Sequence, residues 1–208
     1  MTSDDNTVNI EIAKPRYHHG DLRAALIEAG LRELANGDAG DLSLRAIARA
    51  VGVSATAVYR HFADKEALLN ALCREGDARL AEASRVAQAR AGGGRAGFEA
   101  TGHAYVRFAL DNPALFRLTM TRMAAVSGSG NLDRPGHLGR PSEGMALLLA
   151  NVAAQASPDA SAAEQRTMAL YSWALVHGLA VLMLDGLVPA DDALIDAVIA
   201  SPGPGLTT

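Results

Sequence analysis

The sequence predicts an all-α protein, and three observations carry that reading. Of its 208 residues 49% are hydrophobic but only 4% aromatic, a balance that favours Ala- and Leu-rich helices over a sandwich or barrel. Apolar residues recur at i, i+3, i+4 and i+7 through most of the chain, which is helical periodicity. No segment reads as a convincing strand, and no internal repeat is present. The expectation is about nine helices, with a small three-helix domain at the N-terminal end joined to a larger helical one.

Each element has its own local signal. Leu22, Leu26 and Ala29 form one row, with Ile27, Leu31 and Leu34 beside it, so Asp21 to Asn36 reads as a helix that Gly37 ends. Ser43 is an N-cap for a short helix carrying Leu44, Ile47, Ala48 and Val51. Gly52 breaks that helix, and Ser54 caps the next, which runs to about His61. Asp64 caps a long helix from Lys65 to about Arg90. The glycine-rich run Ala89 to Gly97 reads as a flexible joint. Helical patterns then cover Phe98 to Leu110, and Pro113 opens another through about Ala125. Ser127 to Ser142 is a loop by composition. Three helices follow, over Glu143–Gln155, Ala162–Leu184 and Ala190–Ile199. The domain reading is a disordered arm over 1–13, a helix-turn-helix domain over 14–64, a helical domain over 65–200 and a frayed tail over 201–208.

The formal charge of −4 is unevenly spread. Residues 13–65 hold eight Lys/Arg against six Asp/Glu, and from Leu42 to Lys65 four bases stand against the single acid Asp64. A basic end on an acidic chain suits a local polyanion contact. Arginine outnumbers lysine 17 to 2, a bias that a GC-rich genome also produces. The single cysteine, Cys73, lies in a helical row and reads as a packed thiol, with no internal disulfide possible. The polar, acidic opening MTSDDNTVNIEIAK does not read as a signal peptide, and the lone thiol says nothing against the reducing cytoplasm that is expected. Thr167 to Leu184 carries no formal charge over eighteen residues. It lacks flanking bases and includes Ser172, His177 and Gly178, so a buried helix is expected rather than a membrane span.

Two short helices across Gly52 fit a helix-turn-helix, whose second helix enters the DNA major groove. Ala55, Thr56 and Ala57 are small enough to let that backbone approach base edges, and a methyl of Ala55 or Thr56 can meet a thymine methyl. Tyr59 and His61 offer hydrogen bonds to phosphate, while Arg60 reaches either phosphate or guanine. Val53, Val58 and Phe62 are expected to face inward against Leu26, Ile47 and Val51. Lys65 sits in the first turn of the following helix, where free N–H groups already favour an anion. Arg16, Tyr17, His18 and His19 read either as an arm toward the DNA backbone or as a plain lead-in.

The stretch LSLRAIARAVGVSATAVYRHFADKEALL resembles the N-terminal domain of the tetracycline-repressor (TetR) family of bacterial transcriptional regulators. The preceding RYHHGDLRAALIEAGLREL is similar to that family's first helix, so the resemblance covers about residues 16–75. It implies that Ser43 and Arg45 contact phosphate, that Ser54, Ala55, Thr56, Ala57, Tyr59, Arg60 and His61 face DNA, and that Lys65 holds phosphate. YSWALVHGLAVLMLDG is similar to a subgroup with a Trp-x-x-x-His-Gly motif, here Trp173, His177 and Gly178. The family places an effector chamber and the dimer interface in this half of the chain.

Tyr105, Phe108, Phe116, Met120, Met123 and Trp173 lie at helical spacing and read either as core or as the wall of an apolar effector cavity. His103, Arg107 and His177 are the polar candidates beside them, with Arg122 as a further anchor. Leu175, Gly178, Leu179, Leu182 and Val198 are expected at a two-fold dimer interface. No metal and no cofactor are expected, because His103, His137 and His177 have no Cys, Asp or Glu at ligand spacing. No segment reads as a strand-borne Gly-rich phosphate loop and no Gly-x-Ser-x-Gly is present, which argues against the rival enzyme class. The function expected is a cytoplasmic homodimeric repressor on a palindromic double-stranded operator, released by a small, largely apolar effector. The alternative is a helical DNA-binding regulator with no effector.

Overall fold

The computed structural model describes residues 22–126, 136–137 and 140–201. The expected N-terminal arm, the tail and most of the 127–142 loop lie outside the described residues. Among the described residues the fold is all-helical, with nine helices and one minimal ribbon in which Gly136–His137 pairs antiparallel with Arg140–Pro141.

Helices α1 (Leu22–Ala35), α2 (Leu44–Val51) and α3 (Ala55–Tyr59) form the N-terminal head. The starts of α2 and α3 are set by short side chains that accept otherwise unpaired first-turn N–H groups. Ser43 Oγ accepts from Ala46 N and Ser54 Oγ from Ala57 N, at 3.4 and 3.2 Å. Gly52 ends α2 at φ 78°, where its own N–H reaches Arg49 O and the Val53 N–H reaches Ala48 O. That double closure needs a left-handed residue, and glycine adopts it without a Cβ penalty. The head then closes around Leu26, Ile47, Val58 and Phe62, none more than 1% exposed. Val51 and Val53 pack at its edge, and the Arg23 guanidinium lies 5.3 Å over the Phe62 ring.

Helix α4 (Lys65–Arg90) opens on Asp64, whose Oδ1 accepts from Ala67 N at 2.7 Å. Its first half belongs to the head: Leu68, Leu69 and Leu72 join the same core, which continues to Phe108, Leu115 and Leu118. The head and the C-terminal half therefore share apolar packing through α4, with no clean break at residue 65. Helices α5 (Gly94–Asp111), α6 (Pro113–Val126), α7 (Glu143–Gln155), α8 (Ala162–Leu184) and α9 (Asp192–Ala200) complete the chain. Val106, Phe116, Ala180, Met183 and Ile195 build a second core between α5, α6, α8 and α9.

Two expectations are corrected here. The glycine run is a tight reversal rather than a long flexible joint, and α5 starts at Gly94 instead of Phe98. Gly92, Gly93 and Gly94 take positive φ, and a Cβ on Gly97 would stand 3.1 Å from Gln88 Cγ, so the glycines let α5 fold back directly on α4. Helix α8 is long and apolar enough to cross a membrane, yet it is not the buried helix expected. Only 22% of its most apolar window is buried within the chain, because α5, α7 and α9 cover one side alone.

Candidate nucleic-acid interface and ligand cavity

The opening of α3 and its exit divide cleanly by burial. Val58 and Phe62 are 0% and 1% exposed, so four residues apart they pin the helix to the head. Between and around them Ser54, Thr56, Tyr59, Arg60 and His61 are exposed, with Tyr59 at 48%, and Ala55 and Ala57 are half-buried. The regular helix ends at Tyr59, and Arg60 is its C-cap, so the expected run to His61 finishes in a turn. Ser43 and Arg45 are exposed at the start of α2. A tyrosine, an arginine and a histidine thus stand outward in succession at the exit of a short helix whose inner side is packed. Hydrogen-bond donors displayed in this way suit phosphate oxygens and base edges.

Lys65 has a second employment that the sequence did not reveal. Its ammonium donates to the carbonyl of Gly40 in the α1–α2 loop. An ammonium has three protons, so this tie leaves two for an external anion.

In the C-terminal half a cavity of about 640 Å³ lies among α4, α5, α6, α7 and α8. Its walls include Leu80, Phe98, Tyr105, Met120, Met145, Leu148, Tyr171, Trp173 and Val176, with Ile199 from α9. Of the residues expected there, Tyr105, Met120 and Trp173 are wall residues. The Trp173 Nε1–H donates to the Tyr105 hydroxyl oxygen at 3.3 Å, and that hydroxyl lies 3.0 Å from His177 Nδ1. Burial pushes the His177 imidazole below its ordinary pKa and the Tyr105 phenol well above its own. The imidazole tautomer sets which of the two donates across that contact.

The other expected effector residues are placed elsewhere. Phe108 is buried in the core shared with the head, and Phe116 is buried behind the wall, its ring edge-on to Tyr105 at 5.7 Å. His177 stands behind Tyr105 and tilts against Phe116 at 5.6 Å. His103 faces α9, with Nδ1 2.6 Å from Asp196 and Nε2 3.4 Å from Asp192. Arg107 pairs with Asp111 at 2.9 Å and approaches Asp192, so it is spent on the same outer face. Arg122 donates to Glu66 and Asn70 at 2.8 and 2.9 Å, and it holds the Glu66 carboxyl below the usual range. The Met123 side chain lies outside the described ones.

Sequence reasoning missed Asp77, which lines the cavity while only 7% exposed. Its carboxylate accepts from Ser142 Oγ at 2.6 Å, Glu143 N at 2.7 Å and Gly144 N at 3.3 Å, capping α7 from another helix. The available signal was an acid on the packed row Cys73, Asp77, Ala81 and Ser84. Asn151 was missed too; it accepts from Gln88 at 2.6 Å on the cavity wall. Cys73 is buried, which pushes its thiol up to about 12 and makes it inert.

Among the expected dimer residues, Gly178 and Leu182 lie on the uncovered side of α8, with Leu182 42% exposed. Leu179 is 7% exposed within the chain's own second core, Val198 packs against that core, and Leu175 lines the cavity. Among the described residues no cluster of three His, Cys, Asp or Glu could hold a metal ion.

Comparison with known proteins agrees with this arrangement. Residues 26–72 match the model of bacterial regulatory proteins of the tetR family, and residues 98–201 match that of the tetracyclin repressor-like C-terminal domain. A protein of unknown function from Rhodococcus sp. RHA1 is similar at 32% identity and a TM-score of 0.68, over 89% of this chain and 93% of that one. A TetR family transcription regulator from Marinobacter aquaeolei VT8 shares the fold, at 24% identity and a TM-score of 0.62, over 85% of this chain and 91% of its own. The matched models cover the recognition head and the cavity-bearing half, and the chain therefore belongs to the TetR family, as a DNA-binding transcriptional regulator rather than an enzyme.

Proposed function

We propose that the protein is a cytoplasmic homodimeric repressor that places residues Ser54–His61 of each subunit in successive major grooves of a palindromic operator. The observation that carries this reading is the division of the recognition segment. Val58 and Phe62 are buried while Thr56, Tyr59, Arg60 and His61 are exposed around them. In this reading Tyr59, His61, Lys65, Ser43 and Arg45 hold phosphate, Ala55 to Ala57 approach the bases, and Arg60 reads a guanine.

The uncovered side of α8 supports the dimer. Ala174, Gly178 and Leu182 recur at helical spacing there, and a Cβ on Gly178 would meet nothing within 4 Å. Such a stripe on a lone chain is an association liability, and a small residue at its centre lets a second helix approach closely. A largely apolar effector would occupy the 640 Å³ cavity. Helix α6 then supplies the link to the head. Met120 is on the cavity wall, while Arg122, two residues on and so on another face, grips Glu66 beside Lys65. A ligand that moves α6 biases the head only by binding one arrangement more tightly than the other.

Selection of bound sequences from random duplex DNA tests the reading. An inverted repeat bound by a dimer is the expected result. Enrichment of a single half-site by a monomer would overturn the dimeric operator model. An operator complex that no cavity ligand releases would favour the regulator without an effector.

A further inference from the structure

We infer that the cavity accepts neutral or cationic lipophiles and rejects anions, with Asp77 as the group that enforces the rule. This rests on the effector reading above. Among the described lining residues the acidic and basic side chains are Asp77, Glu99 and Arg95. The only guanidinium is at the rim: the Arg95 side chain is 75% exposed, and its Nε donates to Glu99 Oε1 at 2.8 Å. Inside, the carboxylate of Asp77 stands in a predominantly apolar wall.

The helix start that would attract a ligand anion is already filled from within the chain, and the unpaired donor on the described wall is the neutral Asn151 amide. The first N–H groups of α7 face this space, and a helix start of that kind binds carboxylate or phosphate well. Glu143 N and Gly144 N instead donate to Asp77, and Ser142 Oγ joins them. The other guanidinium groups on α5 and α6 are turned away, Arg107 onto Asp111, Arg117 onto Asp185 and Arg122 onto Glu66. An entering anion would lose its hydration, find no free positive partner among these groups and face a buried like charge. A neutral ligand meets none of these costs. A cation is attracted by Asp77 and Glu99, and the acceptor side of a polar head is served by the long Trp173–Tyr105 hydrogen bond, which is easily exchanged.

The test uses the full-length protein and three probes with one apolar body: decanoate, methyl decanoate and decylamine. Trp173 is the only tryptophan and lies on the cavity wall, so its fluorescence reports occupancy. The ester and the amine should bind at least about tenfold more tightly than decanoate at neutral pH. Asp77→Asn keeps an acceptor for Ser142 but removes the charge, and it should bring decanoate within about threefold of the ester. Decanoate binding as tightly as its ester to the unaltered chain would overturn the inference, whether or not the variant folds. A folded Asp77→Asn protein that still rejects decanoate would overturn the role given to Asp77. Binding of none of the three, the ester included, would remove the effector reading itself, an outcome distinct from a wrong charge rule.

Discussion

Lys65→Ala separates two roles that one ammonium is argued to play. Within the chain the side chain ties Gly40 and hence the loop that leads into α2. Toward DNA it is expected to neutralise a phosphate. Losing an exposed hydrogen bond of this kind costs at most about 1 kcal/mol of folding stability. Losing one phosphate contact lowers the slope of log affinity against log salt by about 0.9 per subunit, or about 1.8 for a dimer on two half-sites. Over a fourfold rise in salt, from about 50 to about 200 mM, the unaltered protein should therefore lose roughly twelvefold more affinity than the variant. The two effects do not mimic each other. A less stable head reduces the active fraction at every salt concentration and leaves the slope alone. Fluorescence anisotropy on a labelled operator gives the slope, and urea denaturation at fixed protein concentration gives the stability. His61→Ala, at an exposed position on the same surface, is the companion with a changed slope and little change in stability. A Lys65→Ala protein with lowered stability and an unaltered slope would refute the phosphate role and leave only the tie to Gly40.

Leu182→Glu, on the open side of α8, should convert a dimer into monomers in sedimentation at micromolar concentration without unfolding the chain. Leu179→Ala, three residues earlier but buried, should instead cost about 2–5 kcal/mol of stability in denaturant. Gly76→Ala should destabilise despite the helix propensity of alanine. Its Cβ would stand 2.8 Å from Thr119 Oγ1 and 3.0 Å from Leu115 Cδ1, and overpacking of about 1–3 kcal/mol exceeds a propensity gain of about 1 kcal/mol; a more stable variant would refute the close α4–α6 approach. His177 is held below its ordinary value of 6.5 by burial, so the unfolded chain binds the extra proton first. Its contribution to stability is complete above about pH 6.5 and is lost as pH falls toward the lower folded value. Thermal unfolding of His177→Gln should show a flatter acid limb than the unaltered protein.

The head was legible because its determinants are local. Ser43, Ser54 and Asp64 each cap a helix by accepting the N–H three residues ahead, and Gly52 closes α2 within its own turn. Spacing alone sorted Val58 and Phe62 from Tyr59 and His61, since a short helix against one core has one inside. The same logic failed on α8. A helix that is apolar all round reads as enclosed, but the chain supplies cover for only one side of it. Nor does a run of three glycines distinguish a loose joint from a tight reversal, which depends on Gln88 lying against Gly97.

The cavity was half legible, and the reason lies in where each side chain finds its partner. Helical spacing groups Tyr105 with Phe108, and Phe116 with Met120, but cannot say which member of each pair meets a void. Phe108 turns to the core shared with the head and Phe116 to the second core, while Tyr105 and Met120 reach the cavity. The polar anchors divide by sequence distance. Arg107 has Asp111 four residues on, an i, i+4 ion pair visible in the bare sequence, and weighing it would have withdrawn Arg107 from the effector list. Arg122 is claimed by Glu66 and His103 by Asp196, partners 56 and 93 residues away, which no local pattern exposes. Asp77 is the converse case. An acid on a packed row announces a buried partner, but its donors lie on α7, 65 to 67 residues further on, so the sequence signals the need without naming what meets it.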